Sequence, residues 1–230
     1  MSRKRFYTTA AATPDGGIAL DGKPVKTPGK QMLRVPSPAL AIAIAAEWEA
    51  QRGTLEPERM ILTKLANTAL DRVAPERARI IDEMVEYAGS DLVCYRADRP
   101  PQLVMLQTSA WDPVLAWAHT ALDAGFITIV GVVHKPQQAT ALEAVRRHLA
   151  AQDDFRLTAL HNIMTLNGSC LLAAMIGACA ILGDEAWAAA HVDEDYQIAE
   201  WGADDEALKR RAARQAEFAQ CLRFLTLLKT

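Results

Sequence analysis

Two Asp-Gly pairs, Asp15-Gly16 and Asp21-Gly22, and three prolines, Pro24, Pro28 and Pro36, cut the segment from Phe6 to Pro36 into pieces too short for helices. The pieces FYTTAAA, IALDGKPVKTP and QMLRVP are β-prone, and the Asp-Gly pairs supply the positive-φ positions that tight hairpins need. The prolines suit strand ends and edges. A small antiparallel meander is therefore expected at the start of the chain, with the rest free to be helical.

Helix signals follow. Ser37 is a candidate N-cap with Pro38 at the first helical position, ahead of the alanine-rich run ALAIAIAAEWEAQ, which should stop by Gly53. After Pro57, Ile61, Leu62, Leu65, Ala69 and Val73 recur at helical spacing, and after Pro75 the residues Ile80, Met84 and Tyr87 share one face that should lie on a core. The segment RADRPPQ, residues 96 to 102, breaks the helical pattern and reads as a linker or hinge. Beyond it, WDPVLAWAHTALDAG is helical, ITIVGVV is β-prone, and QQATALEAVRRHLAAQ is helical. The stretch 155 to 182 gives two helices broken at Asn167 and Gly168, the second strongly apolar and central. GDEAW opens a further helix, and an amphipathic one runs from Asp204 to Leu228. The fold class is α+β: residues 1–98 form an N-terminal α/β domain with the meander, and residues 99–230 a helical C-terminal domain.

With 230 residues, half of them hydrophobic, the chain can bury one large core or two modest ones. A formal net charge of -3 argues against a protein that wraps nucleic acid. The longest apolar run, Cys170 to Leu182, is too short to span a bilayer, so no membrane insertion is expected. The basic start, MSRKRFYTT, has no apolar stretch behind it and does not read as a secretory signal. Cys94, Cys170, Cys179 and Cys221 are widely spaced with no CxxC pair. They read as free thiols in a reducing compartment, although four cysteines could also form two disulfides.

Catalytic templates fit poorly. The chain has no GxGxxG after a strand, no GxxxxGK[ST], no GxSxG and no HExxH. His119, His134, His148, His161 and His191 stand singly, without a second histidine at metal-ligand spacing. Residues 193 to 206, DEDYQIAEWGADDE, hold seven carboxylates and no base. Calcium-loop spacing is not met there, and no cofactor or metal is expected. Asp204 suits an N-cap, and Asp205 and Glu206 stand four residues before Lys209 and Arg210, so part of this charge has a structural use. That account does not explain Trp201 and Gly202 amid the carboxylates; an aromatic anchor ringed by charge suits a protein-binding surface. Trp48, between Glu47 and Glu49, reads first as core packing and only second as interface.

The pieces RFY, LDGKPVKTP, EWEAQ, MILTKLANTALD, YAGSDLVCYRAD, PPQL, WDPVLAW, NGSCLLAAMIGACAILGDEAW and DEDYQIAEWGADDE occur in the order found in a known family. The chain resembles, over practically its whole length, the ATP synthase F(1) assembly factors of the alpha-subunit-binding class, the "Atp-twelve" chaperones. The resemblance implies a two-domain α+β protein that is not an enzyme. Such a protein binds the free alpha subunit of the F(1) head, prevents its aggregation, and yields it to a beta subunit. Carried over residue by residue, the acidic C-terminal motif falls on Glu194, Gln197, Glu200, Trp201, Gly202, Asp204 and Asp205 as candidates for client contact, and the EW-x-x-Q motif on Glu47, Trp48 and Gln51. The matching region starts at Arg5 or Phe6 with no presequence ahead of it, so a bacterial cytoplasmic member is expected, the mitochondrial matrix being the equivalent for a eukaryotic relative, and a monomer is expected as well. A small-molecule enzyme with an interdomain carboxylate site, using Glu194 and Glu200, is the alternative.

Overall fold

The computed structural model describes residues 4–131 and 133–229. The basic first three residues, and Val132 within ITIVGVV, lie outside the described residues. The molecule is α+β and divides into two compact units that do not follow chain order. The first comprises Met1–Arg77, Asp153–Ala159 and Ala219–Thr230; the second comprises Ala78–Gln152 and Leu160–Phe218. Residues 78–98, read from the sequence with the N-terminal part, group with the second unit.

In the first unit the meander forms as expected. Strands β1 (Ala10–Ala12), β2 (Ile18–Leu20) and β3 (Lys23–Pro24) pair antiparallel in the order β1-β2-β3. Asp21 and Gly22 both take positive φ, so the two-residue turn that sets Leu20 opposite Lys23 is of the twisted hairpin kind. Helix α1 (Pro38–Glu49) packs on β1 and β2 and buries Leu40 and Ile44. Ser37 caps it by accepting from the Leu40 N–H, and the same hydroxyl donates to the Leu227 carbonyl. Helix α1 ends at Glu49, short of the Gly53 stop that the sequence suggests.

The helix expected after Pro57 is three pieces: a 3₁₀ turn over Pro57–Arg59, helix α2 (Ile61–Thr68), and a π turn over Ala69–Val73. Leu62, Leu65, Ala69 and Val73 are buried, whereas Ile61 is only half-buried. Asp71, in the π turn, accepts from the Thr27 hydroxyl and the Gly29 N–H. A Cβ on Gly29 would come within 2.5 Å of that carboxylate, so a larger residue there would have to displace the Asp71 side chain.

The second unit is mainly helical. In α3 (Arg77–Ala88) the core face is Ile80, Ile81, Met84, Val85 and Ala88. Tyr87, expected on that face, is 38% exposed, because at 100° per residue it falls just outside one edge of the arc that the buried residues span. The RPP break is a strand followed by a helix start: β4 (Tyr95–Arg96) pairs parallel with β5 (Ile129–Val130), and Pro101 opens α4 (Pro101–Leu122), which continues through Pro113. Helices α5 (Ala139–Ala150) and α6 (Asp154–Asn167) follow, and Gly168, at positive φ, breaks the chain where Asn167-Gly168 suggested. Helix α7 (Cys170–Gly177) is buried throughout. It is shorter than its apolar run: Cys179 takes a left-handed conformation, and the chain turns through Ala178–Ile181. A Cβ on Gly177 would meet Leu160 at 3.0 Å, the close helix approach that small residues permit. Helices α8 (Gly183–Ala190), α9 (Val192–Trp201) and α10 (Asp205–Leu227) complete the chain, the last reaching into the first unit's portion.

All four cysteines are free; Cys94, Cys170 and Cys221 are buried, but Cys179 is exposed in the turn after α7. Burial pushes the Cys94 thiol up to about 12 and raises Cys170 as well, which leaves both inert near neutral pH. No helix is long and apolar enough to cross a membrane among the described residues.

Candidate functional site

The acidic segment folds as helix α9, a turn at Gly202–Asp204, and the start of α10. Its carboxylates divide by use. Asp193 accepts from the Gln107 amide of α4 at 2.7 Å, and Asp195 pairs with Arg211 of α10, so these two tie α9 to its neighbours. Asp204 caps α10 by accepting from the Ala207 N–H at 2.7 Å. Glu206 pairs with Arg210 one turn on. Glu200 and Asp205 make no side-chain hydrogen bond or ion pair among the described residues.

At 100° per residue, Glu194, Gln197 and Trp201 fall within an arc of about 60° on α9. Glu200 lies about 60° beyond that arc, on the flank of the helix. Trp201 ends the helix with 78% of its surface exposed, the most exposed large apolar side chain among those described. Gly202 then takes φ 88, a conformation that L side chains rarely adopt, and its N–H closes on the Ile198 carbonyl. The glycine therefore ends the helix so that the indole stands at its tip. The opposite face of α9, through Val192, Asp195, Tyr196 and Ala199, lines an apolar groove of about 810 Å³ with Leu106 and Pro113 of α4 and Met175 and Ile181. No residue of α9 is buried.

The EW-x-x-Q residues have a different setting. The Glu47 carboxylate accepts from the Leu62 and Thr63 N–H groups and the Thr63 hydroxyl, each within 2.8 Å. It thus caps α2 from another helix, and burial raises its pKa against the pull of those donors. Gln51 is buried; its side-chain carbonyl accepts from the Glu56 N–H and its amide donates to the Glu47 carbonyl. Both residues hold the connection between α1 and α2. Trp48 is half-buried, with its ring 5.8 Å from Tyr7 and its carbonyl accepting from the Tyr7 hydroxyl. Its ring N–H is buried without a partner.

Asp91 was not among the residues singled out from the sequence. It is fully buried, and its carboxylate accepts from the Val93 and Leu171 N–H groups. Burial raises its pKa to about 6, opposed by hydrogen bonds from Leu171, Ser169, Val93 and Cys170. It joins the turn after α3 to the start of α7, a structural task signalled only by its place in SDLVCY. Among the described residues no group of His, Cys, Asp and Glu is arranged to hold a metal ion.

The family model of the ATP12 chaperone protein matches residues 4–119. The chain belongs to the ATP12 chaperone family. Three solved structures share its fold at a TM-score of 0.92. Atp12 from Paracoccus denitrificans is 39% identical and covers 98% of both chains. Atu1473 from Agrobacterium tumefaciens, described as a chaperone candidate, is 41% identical over 99% of this chain and 87% of its own. An aspartate-to-lysine mutant of the Paracoccus denitrificans protein is 39% identical over 98% of this chain and 97% of its own. Membership gives the protein a chaperone role in ATP synthase assembly.

Proposed function

We propose that the protein binds the free alpha subunit of the ATP synthase F(1) head, keeps it from aggregating, and releases it when a beta subunit takes the same surface. The reading rests on family membership together with one observation: Trp201 is exposed at the tip of α9, in a segment where Glu200 and Asp205 make no side-chain hydrogen bond or ion pair among the described residues. An unassembled subunit exposes an obligate interface, more apolar than ordinary surface and prone to wrong association. A holder that must let go needs a compact aromatic anchor with a charged rim rather than a wholly apolar groove. Glu194, Gln197, Glu200, Trp201 and Asp205 supply those elements; Gly202 and Asp204 shape the turn that presents them. Of the second motif, Glu47 and Gln51 act through the fold, and Trp48 is the member with surface to offer.

The protein works in this reading as a cytoplasmic monomer of a bacterium, with no cofactor and no ATP hydrolysis of its own. The alternative, an acid-base enzyme using Glu194 and Glu200, is not favoured by any observation: the two leave one exposed helix in directions about 120° apart.

Co-expression with the alpha subunit followed by gel filtration tests the proposal. A one-to-one complex is expected, along with suppressed aggregation of the alpha subunit but not of unrelated proteins. Separate elution of the two chains at micromolar concentration overturns it. Equal protection of unrelated proteins would instead make the protein a general holdase.

A further inference from the structure

The apolar groove on the face of α9 opposite Trp201 lies wholly within the second unit. Ala110 of α4, Ala188 of α8 and Ala199 of α9 leave it room, and Ala188 and Ala199 are exposed. Leu106, in the lining, is 49% exposed, and Leu182, next to the lining residue Ile181, is 70% exposed. Nothing on α9 is buried, so Val192 and Tyr196 complete their burial only when something fills the groove.

Apolar surface alone would take any greasy segment; the charge around it is what selects. The segments that frame the groove, residues 101–122 of α4 and residues 170–201 through α7, α8 and α9, hold no lysine or arginine, although the chain has 25. They hold seven acidic residues. Asp112 is answered by Arg96, and Asp195 by Arg211 of α10, which is outside the lining. Asp184, Glu185, Asp193 and Glu200 have no ion pair among the described residues. Glu185, itself in the lining, accepts from the Leu182 N–H and keeps its charge. Such a frame attracts cationic side chains and repels acidic ones.

Shape favours a helix. The groove is walled by α4, α8 and α9, whose backbone groups bond within each helix and offer no strand edge. An extended segment would bury N–H and C=O groups there without partners, whereas a helix brings its own already paired.

We propose that the groove docks a basic amphipathic helix of the client polypeptide, its apolar stripe against Leu106, Pro113, Ile181 and Tyr196 and its lysines or arginines toward Glu185 and the neighbouring carboxylates. The proposal rests on the reading that the protein holds the alpha subunit, and it adds a second contact, apolar at its centre, to the one around Trp201.

The test uses the full-length chain with overlapping synthetic peptides of about 20 residues that cover the alpha subunit, long enough to hold a helix. Peptides that bind, followed by fluorescence anisotropy, should carry apolar residues three and four apart with lysine or arginine beside them. They should also gain helical circular dichroism in the complex. Ala199→Trp fills the groove from an exposed position and should weaken such a peptide roughly tenfold, with the melting temperature unmoved. Ala188→Trp, on α8, takes its place if that variant unfolds. Glu185→Gln keeps an acceptor for the Leu182 N–H while removing the charge, and should weaken the peptide about threefold at low salt and less at high salt. Trp201→Ala should leave the peptide's affinity unchanged, which separates the groove from the surface at the tip of α9. Failure of every peptide to bind, binding only by acidic or non-helical peptides, or equal affinity for the filled groove overturns the proposal. So does self-association of the chain that Ala199→Trp abolishes, which gives the groove to a second copy. Gel filtration with the intact alpha subunit is run beside it. A complex there, with peptides indifferent to Ala199→Trp, sinks the groove and leaves the proposed function standing, whereas no complex with the unsubstituted chain sinks the proposed function itself.

Discussion

Trp48 and Trp201 look alike in the sequence, each an indole beside glutamates near the end of a helix, but their surroundings part them. Around Trp48 the acids are occupied: Glu47 caps α2, and Glu49 accepts from the Ala10 N–H at the start of β1 and pairs with Arg5. Glu200, next to Trp201 in the chain, and Asp205, at the start of α10, have no such partners among the described residues, while the ring itself stands in solvent. Charge density in a sequence thus says little until each carboxylate's donors are known. The first cluster organises its own unit, and the second is free to meet another molecule.

Substitutions can break that contrast. The largest effect is expected for Glu47→Ala, which strips two backbone N–H groups and the Thr63 hydroxyl of their shared acceptor and should cost about 3 kcal/mol in denaturant unfolding. A loss of alpha-subunit affinity at unchanged stability would contradict its assignment to the fold. Trp201→Ala should do the reverse: roughly thirtyfold weaker binding of the alpha subunit, typical of losing a central aromatic anchor, with the melting temperature unmoved. Charge reversal by Glu200→Lys with Asp205→Lys should weaken the complex about tenfold, and raising the salt should shrink the difference, since rim charges act through a screened field. If that double variant merely unfolds, the surface assignment fails. Asp204→Ala should have the smallest effect, about 1 kcal/mol of stability from the lost cap of α10, seen as faster amide exchange in its first turn.

The readable features were local. Asp21-Gly22 announced its hairpin and Ser37-Pro38 its helix start, because such turns and caps depend on neighbours in the chain. The π turn at Ala69–Val73 was hidden because its residues keep helical periodicity. The pairing of Tyr95 with Ile129 was hidden because parallel partners are distant in sequence and only two residues long here. Tyr87 was misplaced because it falls just past the edge of the stripe that Ile80 and Met84 begin, and Cys179 by treating an apolar run as one helix when a left-handed residue ends it. At the candidate surface, Trp201 and the carboxylates beside it could be named in advance. That Asp193 and Asp195 are spent on Gln107 and Arg211 could not, since their partners come from α4 and α10.

The stretch Ala219–Thr230 belongs to the unit that begins the chain. Phe224, fully buried, stacks on Phe155 at 6.5 Å, and the carbonyl of Leu227 receives the hydroxyl of Ser37. During synthesis, the part made first is consequently the part finished last. The meander and α1 must wait for the final turns of α10 before their core can close, so a ribosome stalled before residue 219 would leave the first unit open while most of the second could already pack.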